Sequence, residues 1–272
     1  MKVLVTGANG MLGQDLCPIL EDSGYEVIET NKNNFDITNE LLVHRILSKE
    51  KPNVVIHCAA YTDVDGAEKD LKTAELVNVK GTENIAKVCA KNDITLVYIS
   101  TDYVFDGTKN TPYEIDDAPN PINNYGLTKF QGEEVVKRLC DKFYIIRTSW
   151  LYGHHGKNFV ETMINLKDES EIKVVDNQIG CPTWTVELAN GIIDLLENYE
   201  CGIYHICGSG ETSWYGFAKE IFEYLNIDAN LKPCSDLIRP AKRPAYSVMN
   251  NDKICRYWKN ALHDYLDLRI EE

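Results

Sequence analysis

Apolar positions along the first 150 residues follow two alternating patterns. Short runs typical of strands buried on both faces occur at residues 2–6, 27–28, 54–57, 94–99 and 144–147. Longer stretches with helical spacing lie between them, at residues 12–20, 41–47, 74–90 and 126–139. This order predicts right-handed βαβ units, and therefore an α/β fold with a doubly wound parallel sheet.

The pattern becomes less regular after residue 149. Pro182, Pro233, Pro240 and Pro244 interrupt it, although residues near 172–176 and 202–207 still favour strands that return to the sheet. We predict a first domain of residues 1–149, whose sheet is joined by those two later strands. Residues 150–272 would mainly form a smaller α/β lobe, so that the two units are interleaved in the sequence.

A glycine-rich turn connects the first predicted strand to the first helix. Gly7, Gly10 and Gly13 are spaced G-x-x-G-x-x-G rather than G-x-G-x-x-G. Glycine permits positive φ and removes the Cβ that would keep a pyrophosphate away from the backbone, while the helix start supplies free N–H groups. We therefore expect residues 1–149 to bind a dinucleotide, with its phosphates at this turn.

Tyr125 and Lys129 lie one helical turn apart, so they project from the same face of a predicted helix. An ammonium beside a phenol lowers the tyrosine pKa from its usual value of about 10. Thr101 ends a strand at the sheet edge where α/β proteins bind ligands. Taken alone, this Tyr–Lys spacing is typical of an exposed helix face, and Thr101 of a turn. Together with the glycine turn they predict reductase chemistry.

Composition is ordinary for a globular enzyme of 272 residues, with 44% hydrophobic and 26% charged residues. The net charge of −14 opposes binding to nucleic acid or anionic membranes. Neither a signal peptide nor an apolar run of about 20 residues is present, so we expect a cytoplasmic protein. Nine cysteines include no C-x-x-C pair, and His154 and His155 lack further ligands at suitable spacing, so no metal site is predicted.

Five separated motifs carry a resemblance to a known family. They are CAAYTDVD at residues 58–65 with Glu68, STDYVFDG at 100–107, RTSW at 147–150, QIGCPT at 178–183 and RPAKRP at 239–244. With the glycine turn and the Tyr–Lys pair, they closely resemble the dTDP-4-dehydrorhamnose reductase family of the extended short-chain dehydrogenase/reductase superfamily. The resemblance implies a Rossmann-like fold. It also implies reduction of the C4 ketone of dTDP-4-dehydro-β-L-rhamnose to dTDP-β-L-rhamnose, the last step of activated rhamnose synthesis.

The resemblance also implies a role for each site residue. Tyr125 would protonate the alkoxide that forms at C4, Lys129 would lower the tyrosine pKa and hold the cofactor ribose, and Thr101 would hydrogen-bond the same oxygen. The implied cofactor contacts are Gly7, Gly10, Met11, Leu12, Gly13, Asp36, Ile37, Ala59, Ala60, Thr62, Tyr125 and Lys129. The implied substrate contacts are Thr101, Asp102, Trp150 and Arg243.

The end of the second strand bears on the choice of cofactor. An enzyme specific for NAD usually places an acid there to bind the ribose 2′-hydroxyl. Here Glu29 lies one place early, and Lys32 has the charge to bind a 2′-phosphate. We therefore expect NADPH, with NADH as a second option, and Thr30 and Lys32 as further cofactor contacts.

Several alternatives stay open at the level of sequence. An epimerase or dehydratase of the same superfamily retains its cofactor through the cycle, and a regulatory subunit of methionine adenosyltransferase shares the fold without catalysing. The intact catalytic set argues against the second. Trp150 is either a substrate wall or a core residue, and Arg243 lies either at the substrate pyrophosphate or in a solvated basic loop. The family further suggests a homodimer and, in some members, Mg²⁺, for which Asp15 is a candidate ligand.

Overall fold

Six parallel strands form the central sheet of the computed structural model, which describes residues 1–235, 237–251 and 254–271. The strands of the chain are β1 (Lys2–Thr6), β2 (Glu26–Thr30), β3 (Val54–His57), β4 (Thr95–Thr101), β5 (Phe143–Thr148), β6 (Leu151–Tyr152), β7 (Ile172–Val175), β8 (Ile179–Gly180), β9 (Thr183–Trp184), β10 (Gly202–His205), β11 (Thr212–Ser213) and β12 (Leu231–Cys234). The sheet order is β10-β5-β4-β3-β1-β2. Its direction of winding reverses between β1 and β3, where open α/β sheets bind ligands.

Helices cover both faces of this sheet. In the described residues the helices, including those of the smaller lobe, are α1 (Met11–Asp22), α2 (Glu40–Glu50), α3 (Val64–Lys69), α4 (Leu71–Glu75), α5 (Thr82–Lys91), α6 (Asn124–Leu139), α7 (Phe159–Asn165), α8 (Thr185–Asn198), α9 (Trp214–Tyr224) and α10 (Trp258–Glu271). A π-helical turn, Leu76–Gly81, joins α4 to α5. None of the helices in the described ranges has the length and apolarity to cross a membrane.

The strands are apolar on both sides because each face has its own core. In β1, Val3 and Val5 pack against α1 and α8, and the intervening Leu4 packs against α2, α5 and α6. All three side chains are fully buried. The near-continuous apolar strands thus follow from the doubly wound arrangement, and the predicted fold class is confirmed.

The smaller lobe has its own core and three two-stranded sheets. Helices α7, α9 and α10 enclose a cluster that includes Phe217 and Tyr265. Strand β7 pairs with β12 in this lobe, and β10 takes the edge of the central sheet beside β5. The prediction that residues 172–176 return to the central sheet is therefore wrong. A short apolar run indicates a strand but carries no information on its partner.

A late part of the chain returns from the lobe to the central domain. We call residues 241–249 the return segment. The backbone N–H of Ala241 donates to Asp65, Asn123 donates to the carbonyl of Lys242, and the N–H of Tyr113 donates to the carbonyl of Val248, at distances of 2.8–3.1 Å. The return segment therefore forms a wall beside the N-terminal end of α6.

Candidate active site

A cavity of about 870 Å³ opens at the carboxyl ends of β1, β3, β4 and β5. Its wall comprises the glycine turn, the ends of these strands and the first turns of α6, with Trp150 and Trp214 on the side of the smaller lobe. This volume is in the range of small-molecule sites. The position at the reversal of winding is where a doubly wound sheet binds its ligand.

The glycine turn packs closely against the backbone of its neighbours and leaves the start of α1 uncapped. Gly7 has a φ of +68°, and a Cβ there would lie 2.9 Å from the backbone nitrogen of Ala59. A Cβ at Gly13 would lie 2.5 Å from the carbonyl oxygen of Gly7. Helix α1 follows with Gly10 as its N-cap, so no side chain caps its first N–H groups and no acid lies in its first turn. These N–H groups can therefore bind phosphate.

A buried chain of hydrogen bonds fixes the loop opposite this turn. Thr82 donates to the carbonyl of Asn78, 2.7 Å away, so its oxygen accepts from Nε2 of His57 at 3.1 Å. Nδ1 of His57 then accepts from Thr6 at 2.8 Å, and Thr6 accepts from the N–H of Ala59 at 3.1 Å. Burial, with a smaller effect of Lys129, lowers the pKa of His57 to about 3. A neutral histidine thus holds Ala59 beside the glycine turn.

The structure brings Thr101, Tyr125 and Lys129 together in the cavity wall. Tyr125 lies close enough to Thr101 for that residue to influence the tyrosine pKa, and the ammonium of Lys129 lies 4.1 Å from the centre of the Tyr98 ring. Thr101 and Lys129 are buried, whereas Tyr125 is partly exposed to the cavity. The three residues that the sequence analysis grouped, Thr101 on β4 with Tyr125 and Lys129 on α6, thus lie in one cavity wall.

The pKa values of this set are governed by burial. Burial raises the pKa of Tyr125 to about 12, against a smaller lowering by its interaction with Thr101. Burial also lowers the pKa of Lys129 to about 7, and the charge of Glu133 opposes that shift. In the protein without cofactor the net shift of the Tyr125 pKa is thus upward, because desolvation dominates, and the lowering by Lys129 stays a prediction. Tyr125 is a protonated phenol at neutral pH, which suits a proton donor.

Asp102 follows Thr101 and lies behind it. Its Oδ1 accepts from the Thr101 hydroxyl at 3.0 Å, and its Oδ2 accepts from the Ser247 hydroxyl at 2.6 Å. Burial raises the pKa of Asp102 to about 7, although both hydrogen bonds oppose the shift. No local pattern indicates Ser247, because it lies in the return segment, outside the five motifs quoted above.

A buried ion pair supports α6 one turn beyond Lys129. Arg147 on β5 binds Glu133 with Nη2 to Oε2 at 2.8 Å and Nε to Oε1 at 3.0 Å, and Ser100 on β4 donates to Oε1 at 2.6 Å. The side chains of Arg147 and Glu133 are 2% and 0% exposed. This pair ties the catalytic helix to the two strands beside it.

The structure also separates some of the predicted residues from the cavity. All the predicted cofactor contacts except Thr30 lie in the wall, with Lys32 at the exposed rim. Thr30 is buried and donates to the carbonyl of Val5 at 2.8 Å. Arg243 lies outside the wall and binds both carboxylate oxygens of Asp65, at 2.6 and 3.0 Å. Neither residue contacts the cavity through its side chain in this arrangement.

Asp15, the candidate Mg²⁺ ligand, hydrogen-bonds Thr185 and lies 3.5 Å from Nε2 of His155. Within residues 1–235, 237–251 and 254–271, no group of three or more His, Cys, Asp or Glu side chains could hold a metal ion. Thr185 already hydrogen-bonds the Asp15 carboxylate, so the described residues present no preformed cage of protein ligands at Asp15.

A dinucleotide cradle at β1 and a tyrosine–lysine pair on the wall of the same cavity define a nicotinamide-dependent oxidoreductase of the extended short-chain dehydrogenase/reductase class. Within that class, the chain belongs to the family described as the RmlD substrate binding domain, whose sequence model matches residues 1–269.

Three similar proteins illustrate the match. The dTDP-4-dehydrorhamnose reductase of Streptomyces griseus is 41% identical over 276 residues, covering 95% of this chain and 91% of that protein. The crystal structure of a dTDP-4-dehydrorhamnose reductase from Clostridium acetobutylicum is 45% identical, with a TM-score of 0.97 over 99% of this chain and 100% of that one. A third, from Bacillus anthracis in complex with NADP, is 40% identical, with a TM-score of 0.95 over 98% and 99% of the two chains. The resemblance stated from the sequence motifs is confirmed.

Proposed function

We propose that this chain reduces the C4 ketone of dTDP-4-dehydro-β-L-rhamnose to dTDP-β-L-rhamnose with NADPH. The observation that carries the proposal is the placement of Tyr125, beside Thr101 and one turn from Lys129, in the same cavity as the glycine turn. The similar proteins are named as reductases of this substrate. Their names favour a reductase over an epimerase, a dehydratase or a regulatory subunit.

The described residues fit a nicotinamide dinucleotide. Gly7 and Gly13 let the turn pack closely on its own backbone in the cavity wall, and the first N–H groups of α1 carry no side-chain cap. The similar structure from Bacillus anthracis contains NADP, and Lys32 at the rim provides the positive charge that a 2′-phosphate requires. When bound, the cofactor supplies the hydride for C4.

The protein's part in the reaction is to place and transfer a proton. Tyr125 donates its phenolic proton to the oxygen at C4 as negative charge develops there. Thr101 hydrogen-bonds the same oxygen when its hydroxyl, which donates to Asp102 in this structure, turns toward the substrate. Lys129, when charged, stabilises the phenolate that Tyr125 becomes. Trp150 provides an apolar wall for the sugar on the side of the smaller lobe.

The proposed contact between Arg243 and the substrate diphosphate requires an exchange of partners. Asp65 now accepts two hydrogen bonds from Arg243, and these hold the pKa of Asp65 below its usual value. A diphosphate could replace this carboxylate only if the Arg243 side chain turned toward the cavity. Arg243→Ala, compared with Arg239→Ala, whose side chain is 49% exposed, tests this through the dissociation constant for dTDP.

Net consumption of the cofactor is the decisive test of the reaction. We expect one NADPH to be oxidised for each dTDP-rhamnose formed, and only when the dTDP-4-keto-sugar is supplied by a coupled enzyme. An epimerase or dehydratase would regenerate its cofactor, so product without net oxidation would refute the reductase. No conversion at all of the keto-sugar by folded protein would refute the substrate.

We also propose a cytoplasmic location and a homodimer. The location rests on the similarity to reductases of nucleotide sugars. The homodimer rests on the family resemblance alone. Sedimentation of the purified chain measures the oligomeric state directly, and a mass near 30.9 kDa would contradict the dimer.

A further inference from the structure

Two tryptophans form a stacked pair in the cavity wall. The rings of Trp150 and Trp214 are 3.6 Å apart between centroids and 8° from parallel. Both side chains are half-buried and line the cavity that contains Tyr125. The family motifs include Trp150, but none of them includes Trp214, which lies 64 positions later at the start of α9.

Trp150 lies in the same cavity as the groups proposed to hold the reacting carbon. Thr101 on β4 pairs with Thr148 on β5, and Trp150 follows two residues after the end of β5. Thr101, Tyr125 and Trp150 all line this cavity. Thr101 and Tyr125 are proposed to hold the oxygen on C4, and C6 of a hexose is two bonds from C4. The indole is therefore a wall that C6 can reach.

The backbone at Trp150 is strained in a way that favours a functional role. Its φ is +47°, a left-handed conformation that a bulky residue rarely adopts. The indole lies over Gly180, where a Cβ would come within 2.5 Å of the ring. The indole ring of Trp150 thus lies between Gly180 and Trp214.

Trp214 is fixed from the opposite side by the smaller lobe. Its helix begins at Ser213, whose hydroxyl accepts from the N–H of Gly216 at 2.9 Å and donates to Asp176 at 2.5 Å. The ring of Phe159 lies 4.7 Å from that of Trp214 between centroids. Trp214 is therefore anchored in the lobe core, and Trp150 is supported by Trp214.

We propose that Trp214 determines specificity at C6 of the sugar, by holding Trp150 as an apolar wall that accepts a methyl group and rejects a hydroxymethyl group. The proposal rests on the proposed function, in which the substrate is a 6-deoxy sugar. A methyl group packs against indole carbon without loss. A C6 hydroxyl would lose its water and meet a ring face with no hydrogen-bond acceptor of comparable strength.

Binding of two ligands that differ only at C6 tests this role. The ligands are dTDP-β-L-rhamnose and dTDP-β-L-mannose, titrated calorimetrically into protein saturated with NADP. We expect the wild type to prefer the rhamnose compound by roughly 10–200-fold, as for other discriminations of this size, and Trp214→Ala to reduce the preference to a few-fold. Trp258→Phe is the matched control, because Trp258 is buried in the same lobe away from the cavity.

Two further measurements distinguish a loss of C6 specificity from a general loss of structure. The dissociation constants for dTDP and for NADPH should be unchanged in Trp214→Ala. The circular dichroism bands of opposite sign that stacked indoles produce should disappear in Trp214→Phe, persist in Trp258→Phe, and change when dTDP-rhamnose, but not dTDP, is added to the wild type.

An unchanged C6 preference in folded Trp214→Ala, or an equal spectral response to dTDP alone, would overturn the inference. These outcomes are distinct from failure of the proposed function. Turnover of the keto-sugar without C6 discrimination would refute only the role of Trp214. Absence of turnover, with C6 discrimination in binding intact, would refute the reaction and support the wall.

Discussion

Burial raises the pKa of Tyr125, the charge of Asp102 raises it further, and the interaction with Thr101 opposes both without overcoming them. With the pKa of Tyr125 raised to about 12 and that of Lys129 lowered to about 7, the phenol keeps its proton at neutral pH. Such a tyrosine is a poor base but is correctly protonated to complete a reduction. The direction of both shifts thus matches a residue that gives a proton to an alkoxide.

Removal of the Tyr125 hydroxyl should impair chemistry more than binding. We expect Tyr125→Phe to lower kcat by roughly 10²–10⁴, the usual contribution of a general acid, with little change in the dissociation constant for NADPH. Stopped-flow measurement of NADPH oxidation, with fluorescence titration of the cofactor, separates the two. The control is Tyr199→Phe, whose side chain is 43% exposed. Turnover near the wild-type rate in folded Tyr125→Phe would exclude it as the proton donor.

Lys32 should distinguish the two nicotinamide cofactors. Its ammonium lies at the exposed rim of the cavity beyond β2, and only NADPH carries the 2′-phosphate. We expect Lys32→Ala to raise the KM for NADPH by about tenfold, the effect of losing one charge-assisted hydrogen bond of about 1.4 kcal/mol, and to leave the KM for NADH unchanged. Lys49→Ala, with a 79% exposed side chain, is the control. Equal effects on both cofactors would contradict contact with the phosphate.

At the scale of elements, periodicity predicted the strands and helices of the central sheet because burial on two faces imposes near-continuous apolar strands between amphipathic helices. It could not predict the partner of β7 or the π-helical turn at Leu76–Gly81, since these depend on tertiary packing. The strand ends of β1, β3 and β4 carried the signal for the site, as polar residues after apolar runs.

Site residues that lie far along the chain from the motifs could not be predicted either, because their contacts depend on tertiary packing. Ser247 and Trp214 reach the site from the return segment and from α9, more than 60 residues after the last catalytic motif residue. Nothing in local spacing predicts such contacts. A serine in an irregular, proline-containing stretch and a tryptophan at a helix start have ordinary local explanations. Arg243 was predicted at the substrate from its charge, and its pairing with Asp65 could not be foreseen from spacing.

The ion pair between Glu133 and Arg147 should be the costliest contact between α6 and the sheet to break. Arg147→Met would leave the buried carboxylate of Glu133 without its cation, and we expect the free energy of unfolding to fall by about 3–5 kcal/mol. The control is Lys142→Met, which removes the exposed pair with Asp93 and should cost less than about 1 kcal/mol. Urea denaturation measures both. Similar losses of unfolding free energy in the two variants would show that the buried ion pair contributes no more to stability than the exposed one.

At the scale of the molecule, stability should depend on pH through His57. Its pKa is about 3 in the folded chain against an ordinary value of 6.5. Between these values the unfolded chain binds a proton that the folded chain excludes, so the free energy of unfolding falls as pH decreases from 6.5 toward 3. Because His57 is buried and neutral in the folded chain, this pH dependence arises from exposure of the histidine on unfolding, and not from charges on the protein surface.

Substitution of His57 should flatten this dependence. We expect the slope of unfolding free energy against pH in His57→Gln to be smaller than in the wild type by up to about 1.4 kcal/mol per pH unit within that window. Urea unfolding at several pH values measures the slope, and the exposed His44→Gln is the control. An unchanged slope in His57→Gln would show that the histidine is not buried in its neutral form.

The return segment has a consequence for the synthesis of the chain. Ser247 completes the hydrogen bonds of Asp102, and the carbonyl of Lys242 binds Asn123, which caps the helix that carries Tyr125. These partners leave the ribosome more than 100 residues after the groups that they support. The cofactor cradle can therefore form early on a nascent chain, whereas the catalytic centre is finished only when almost the whole polypeptide has been made. Incomplete chains should bind nucleotide without consuming it.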